Sequence, residues 1–256
     1  MDPSVKSLLY DQPRLYDLVF PDADDTTGKM CRTGMTFAEY VEYVGTPENL
    51  AREAGWWLGP QRRDFSGLLR EWHGRVGLSD AQVGAIRWLA AQPGGPAKIL
   101  VISEEWSSDC RRDVPMLAHL AEAGGLELRI FTRDGQKSGR DPRANPADSP
   151  NADIVNEFLR ERDGQTYQSV PVAVFYTKEL RYLYHYIEFP AIYHKERLAA
   201  AMRASSAAET KEQRWESFIR DWGALQEGPF FRMWASATVD EILSALHERM
   251  VVGSPG

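Results

Sequence analysis

A short apolar run, KILVIS (98–103), begins just after a segment rich in proline and glycine, PGGP (93–96). Proline and glycine interrupt regular structure, and a continuous apolar run of six residues is typical of a strand buried on both faces. The residues before this stop have helical periodicity, whereas strand and helix patterns alternate after it. The chain is therefore expected to fold as a helical region followed by an α/β unit.

The segment after the run continues the α/β pattern through five further elements. Apolar spacing, glycine stops and a polar, proline-rich loop at 134–153 separate them. The predicted elements are a helix at 110–124, a strand at 126–131, a helix at 154–159, and strands at 170–176 and 181–189 that form a hairpin. The order β-α-β, helix and β-hairpin is that of a small α/β sandwich.

Capping boxes predict the starts of three helices. In this pattern a serine or threonine accepts a hydrogen bond from the backbone three residues on, where a glutamate or glutamine reaches back. The three boxes begin at Thr36, Ser79 and Thr238. The first two belong to a helical region at 36–92, and the third predicts the start of the last helix. Apolar spacing at 215–225 predicts a further helix before it.

Composition limits the classes of function. The formal net charge is −7, so nucleic acid is not expected as a partner. Two cysteines, Cys31 and Cys110, form no disulfide framework, which fits a reducing compartment. The N-terminal segment lacks signal-peptide features and no apolar run approaches 18 residues, so a cytoplasmic protein with no membrane span is expected. The five histidines are scattered, and neither a metal nor a cofactor is expected.

The segment SEEWSSDCRRDVP (103–115) resembles the active-site motif of the thioredoxin family. In that family a strand leads into Trp-Cys-x-x-Cys at the start of a helix, with a proline five residues after the second cysteine. Trp106, Cys110 and Pro115 match the tryptophan, the second cysteine and the proline. A cis-proline before the third core strand is a second mark of the family, and Val170-Pro171 matches it.

The resemblance implies an α/β thioredoxin-like fold at 97–200. Residues 1–95 are then a helical N-terminal extension, and 201–256 are C-terminal helices packed on the domain. More narrowly, the motif is similar to the pattern of a bacterial branch of thioredoxin-like proteins. That pattern reads Glu-Asp-Trp-Cys-Gly-Asp-Cys or Glu-Asp-Trp-Cys-Gly-Asp-Ala, followed by a proline in the helix. The residues that fit this pattern are Glu105, Trp106, Asp109 and Pro115.

The chain departs from the family where the chemistry is concentrated. Ser107 occupies the position of the nucleophilic first cysteine, and a hydroxyl is far less acidic than a thiol and forms no disulfide. The buried acid that the family carries on the strand falls on Val101. The resemblance therefore implies that ordinary dithiol exchange is lost, and it leaves open whether the protein is an enzyme.

Three functions remain open. In the first, Cys110 is a reactive thiolate stabilised by the helix N-terminus, Ser107 is the helix cap and a hydrogen-bond donor, and partners are protein or low-molecular-weight thiols. In the second, the protein is redox-inactive and binds a protein or peptide. A peroxidase is the third, because Ser-x-x-Cys resembles the Thr-x-x-Cys of peroxiredoxins. The substrate groove is expected to contain Trp106, Ser108, Asp109, Val170 and Pro171, and Cys31 is a possible second thiol.

Overall fold

The structure is a computed structural model that describes residues 34–52, 62–133, 142–145, 147, 149, 151–162, 164–207 and 210–252. Four helices precede the first strand: α1 (Phe37–Val44), α2 (Pro47–Leu50), α3 (Ser66–Arg75) and α4 (Asp80–Ala90). The α/β unit follows as β1 (Lys98–Ser103), α5 (Ser108–Gly124), β2 (Glu127–Thr132), α6 (Ala152–Glu157), β3 (Arg160–Arg162), β4 (Gln165–Tyr167), β5 (Val172–Tyr176) and β6 (Tyr182–Ile187). The C-terminal helices are α7 (Ala191–Ala207), α8 (Lys211–Glu227) and α9 (Pro229–Val252).

Four strands form one mixed sheet in the order β2-β1-β5-β6. The pair β1–β2 is parallel, as a helical crossover requires, whereas β1–β5 and β5–β6 are antiparallel. The α/β order expected from the sequence is therefore confirmed. The short hairpin β3–β4, which turns at Gly164 with φ of +71°, was not expected, because two three-residue polar strands carry no alternating pattern.

The N-terminal helices share the core of the α/β unit. Tyr40, Val41 and Val44 of α1 are buried in the same apolar cluster as β1 and β5. The Tyr40 hydroxyl lies 2.9 Å from that of Ser103 at the end of β1, and Met35 pairs with Ile130 beside β2. The extension is thus part of one packed body with the sheet. Helices α3, α4 and α9 all pack on α5.

The helix starts predicted by capping boxes are confirmed at Thr36 and Ser79, where both reciprocal hydrogen bonds are present. The prediction at Thr238 is wrong, because Thr238 lies inside α9. Its buried hydroxyl donates instead to the Asp113 carboxylate of α5 at 3.0 Å and lies 3.2 Å from the carbonyl oxygen of Trp234 one turn earlier. A local pattern that stabilises a helix start also occurs where a hydroxyl is needed for a tertiary contact.

The C-terminal helices build a second, smaller core. Tyr193 of α7 contacts Trp222 of α8 and Trp234 of α9 edge-on, each with 4.9 Å between ring centroids. The apolar face of α8 is only partly buried in this core, since Trp215 and Ile219 are 49% and 47% exposed. In the part of the chain that the structure describes, no helix has the length and apolar character needed to cross a membrane.

Candidate functional site at the β1–α5 junction

The junction turns from the buried strand β1 into α5 within four residues. The backbone N–H of Ser107 donates to the carbonyl of Glu104 at 3.0 Å, and the backbone N–H of Arg111 donates to the carbonyl of Ser107 at 3.1 Å. Ser107 is at the N-cap position with extended backbone, as expected. Its hydroxyl, however, accepts no hydrogen bond from the first turn. The expected side-chain cap is therefore not formed, and the Ser107 hydroxyl acts instead to lower the pKa of the Cys110 thiol.

Cys110 lies inward from the first turn of α5 and is 1% exposed. The backbone N–H of Glu104 donates to its Sγ at 3.4 Å. Burial raises the pKa of the Cys110 thiol to about 12, and the contacts with Ser103, Glu104 and Ser107 reduce this rise only in part. The first candidate function needs an exposed thiolate, whereas Cys110 is buried and desolvation is the largest cause of its raised pKa.

Trp106 is covered rather than placed at the rim of an open site. Its side chain is 5% exposed, and the Arg133 guanidinium lies 5.1 Å from its ring centroid. Arg111 donates to the carbonyls of Glu105 and Trp106 at 2.8 Å each. Through these contacts the first turn of α5 fixes the backbone of the motif residues that precede it. Phe65, just before α3, stacks on the Arg111 guanidinium at 4.1 Å and shields it.

In the part of the chain that the structure describes, the other expected groove residues are buried or half-buried. The Val170–Pro171 peptide bond is cis, and both residues are buried. A cavity of about 10 Å³ lies beside Val170, with Ile102 and Arg133 among its walls. This volume holds one water molecule at most. Ser108 and Asp109 are half-buried, and the Asp109 carboxylate binds Arg112 at 2.7 Å. Arg133 is the side chain that connects the motif to the cis-proline side.

A buried ion-pair network fixes Glu104 and Glu105, which the sequence did not assign. Arg62 binds Glu104 at 2.5 Å and Glu105 at 2.6 Å, and Arg52 binds Glu104 at 2.6 Å. Asn49 donates to Glu105 at 3.0 Å. Burial alone would raise the pKa of Glu104, but nearby guanidinium groups outweigh it and hold that pKa below its ordinary value. The N-terminal extension therefore neutralises the acids of the motif.

A second buried network joins α5 to α9. Arg112 binds Asp113 through two hydrogen bonds, of 2.8 and 2.7 Å, and its guanidinium lies 4.4 Å from the ring centroid of Tyr193. Asp113 also accepts from Thr238 at 3.0 Å and from Tyr186 at 3.4 Å. Burial raises the pKa of Asp113 to about 6, and the neighbouring Arg112 guanidinium acts against this rise. The start of α5 and the junction before it therefore have buried polar contacts with the N-terminal extension and with the C-terminal part of the chain.

Cys31, the possible second thiol, lies outside the described residues. Its proposed pairing with Cys110 stays a prediction, as do the roles of Cys110 and Ser107 in chemistry. The sequence alone offered no signal for Arg62, Asn49 or Arg133, since each reaches the junction from a distant part of the chain.

Among the comparisons with known proteins, the match to a family model agrees with this architecture. A family model described as thioredoxin matches residues 68–203. A solved HIV epitope-scaffold shares 14% identity over 84% of this chain and 93% of its own, with a TM-score of 0.44. A protein of unknown function from Pseudomonas aeruginosa shares 13% identity over 83% of this chain and 98% of its own, with a TM-score of 0.43. None of the curated proteins matches the chain.

Proposed function

The chain belongs to the thioredoxin family, and we propose that it is a redox-inactive member whose role is to bind a protein partner. The state of Cys110 carries this proposal, because its thiol is 1% exposed and has a pKa of about 12. A raised pKa disfavours the thiolate, which is the form that attacks a disulfide. Ser107 cannot supply the second sulfur of a dithiol.

The covering of the junction supports the same proposal. Thiol exchange needs three sulfur atoms in line, so a substrate sulfur must reach Sγ from outside. Trp106 and Ser107 are 5% and 6% exposed, and the N-terminal extension binds Glu104 and Glu105 through Arg62. The motif is therefore proposed to be a structural element that docks the extension on the α/β unit.

Single-cysteine thiol chemistry is the second candidate. It is favoured by the groups around Sγ, since the Ser103 and Ser107 hydroxyls and the Glu104 N–H all lower the pKa of Cys110. The same groups would stabilise a thiolate if the junction opened. Burial has the larger effect on the pKa in the described state, so this candidate requires a conformational change, as would a peroxidase.

Exposed apolar side chains on the C-terminal helices support a binding role. Leu198 and Met202 are four residues apart on α7 and are 55% and 65% exposed. Trp215 and Ile219 are four residues apart on α8, which packs on α7. Residues four apart share one helix face, so each helix presents an apolar pair. Surfaces of this kind occur where proteins contact one another.

Alkylation of Cys110 tests the redox-inactive state. Folded protein treated with iodoacetamide between pH 6 and 9 is expected to stay unlabelled at Cys110, because the thiol is buried and protonated. In urea it should label fully, as read by mass spectrometry. Insulin reduction by wild type should equal that by Cys110→Ser. Fast labelling of the folded protein with an inflection below pH 8 would instead establish the single-cysteine candidate.

Cross-linking tests the binding half of the proposal. Cross-links between the tagged full chain and a protein in source-cell lysate are expected to be lost in Met202→Lys/Ile219→Lys, because two charges would enter the apolar contact. The matched control is Leu68→Lys/Val251→Lys, which changes two exposed apolar residues elsewhere and adds the same charge. Equal cross-linking by both double variants would exclude Met202 and Ile219 as contacts for the partner.

A further inference from the structure

Two histidines and a glutamate meet between α3 and α5, apart from the Cys110 junction. His73 is in the last turn of α3, and His119 and Glu122 are on the C-terminal half of α5. One ligand atom from each of the three side chains lies within 4.8 Å of the other two. Imidazole nitrogens with a carboxylate oxygen are a donor set that suits zinc and other late divalent transition metals.

The hydrogen bond of His119 sets the tautomer that a metal ligand needs. Its Nε2 lies 3.0 Å from the backbone carbonyl of His73, and a carbonyl only accepts, so Nε2 carries the proton. In the neutral ring the lone pair is then on Nδ1. That atom lies 3.7 Å from Oε2 of Glu122. A ligating histidine that donates its other N–H to a backbone carbonyl is a common arrangement in metal sites.

His73 supplies the second, independent observation. Its Nε2 is buried and has no hydrogen-bond partner among the described residues. The ring stacks on Phe37 at 4.6 Å and on His119 at 4.0 Å. A buried imidazole nitrogen without a partner is costly unless a ligand satisfies it.

We propose that His73, His119 and Glu122 bind one divalent transition-metal ion of the zinc class, with solvent completing its coordination. The two rings are parallel within 8°, and a lone pair lies in the plane of its ring. One ring must therefore rotate about its Cβ–Cγ bond for both nitrogens to point at one ion. The site would tie α3 to α5, independently of the function proposed above. Calcium and magnesium are excluded because they prefer oxygen ligands.

Zinc titration by calorimetry tests the site on full-length protein that has been treated with chelator. Every sample carries Cys31→Ser so that this thiol does not compete for zinc. One zinc per chain is expected to bind, and His119→Gln and Glu122→Gln should each weaken the affinity at least about tenfold. Glu122 is 68% exposed, so its variant leaves the packing unchanged. The control is His247→Gln, which changes an exposed histidine on α9.

Thermal unfolding gives a second measurement on the same samples. Zinc should raise the melting temperature of the parent protein and of His247→Gln, because a ligand that binds only the folded state stabilises it. The rise should be absent in His73→Gln and His119→Gln. If zinc binds all variants equally, or if His247→Gln loses as much affinity as His119→Gln, the result is an adventitious ion only and the proposal is overturned.

Discussion

Replacing Arg62 with methionine is expected to lower the free energy of unfolding by about 3–5 kcal/mol. The Arg62 side chain is fully buried and binds Glu104 at 2.5 Å and Glu105 at 2.6 Å. Methionine keeps much of the volume but leaves Glu105 with no cation in hydrogen-bond contact in the described part of the chain. A buried charge without its partner carries the full cost of desolvation. Urea unfolding followed by circular dichroism measures the change.

A matched control compares the loss of this buried ion pair with the loss of an exposed one. Arg75→Met breaks the pair with Glu71, which has a similar distance of 2.8 Å but side chains that are 70% and 59% exposed. Its effect should stay below about 0.5 kcal/mol. Adding Glu105→Gln to Arg62→Met should restore part of the loss, since the neutral amide no longer needs a cation. Equal midpoints for Arg62→Met and Arg75→Met would show that the network adds nothing to stability.

The same variant connects the network to the proposed function. If Arg62 holds the extension over the motif, Arg62→Met should also speed alkylation of Cys110 at pH 8. Burial is the largest cause of the raised pKa of the Cys110 thiol. Opening the junction would expose the thiol to solvent and lower that pKa. The opposite result would be a destabilised protein whose Cys110 stays unlabelled at urea concentrations below the unfolding midpoint. It would mean that apolar packing, and not the ion pairs of Arg62, keeps Cys110 inaccessible to the reagent.

The elements of the fold could be predicted because their signals are local. The strand KILVIS, the stop at Gly124 and Gly125, and the capping boxes at Thr36 and Ser79 depend on neighbours only a few residues away, and the structure has each of them. Thr238 shows the limit of a local pattern. Its hydroxyl hydrogen-bonds the carboxylate of Asp113, which is 125 residues away in the sequence. No property of the surrounding sequence distinguishes this tertiary hydrogen bond from a helix cap.

The state of the candidate site could not be predicted in this way. The position of Cys110 at the start of a helix follows from the sequence, but its exposure depends on what covers the helix start. Arg62 reaches Glu104 across 42 residues, and Asn49 reaches Glu105 across 56. Such pairs are set by how the N-terminal helices pack on the sheet. A helix start favours a thiolate and burial opposes it, and the sequence alone does not show how deeply Cys110 is buried.

Replacing Asp113 with alanine is the second change expected to have a large effect, a loss of about 3–5 kcal/mol in the free energy of unfolding. Asp113 and Arg112 are both fully buried, and the carboxylate also accepts from Thr238 and Tyr186. In the alanine variant the Arg112 guanidinium keeps only one carboxylate partner in the described chain, Asp109. The missing side chain also creates a cavity in the core. Asp221→Ala, on an exposed pair with Arg220, should change stability by less than about 0.5 kcal/mol.

The pH dependence tells whether the buried pair itself stabilises the fold. The folded pKa of Asp113, about 6, lies above its ordinary value of 3.8, so ionisation is harder in the folded state. The corresponding stability is complete below about pH 4 and is lost as the pH rises through 6. The variant Arg112→Met/Asp113→Leu lacks this titration and fills the space with apolar atoms. Its stability relative to wild type should therefore improve between pH 4 and 7, and a difference that stays flat or falls would mean that Arg112 fully compensates the buried carboxylate.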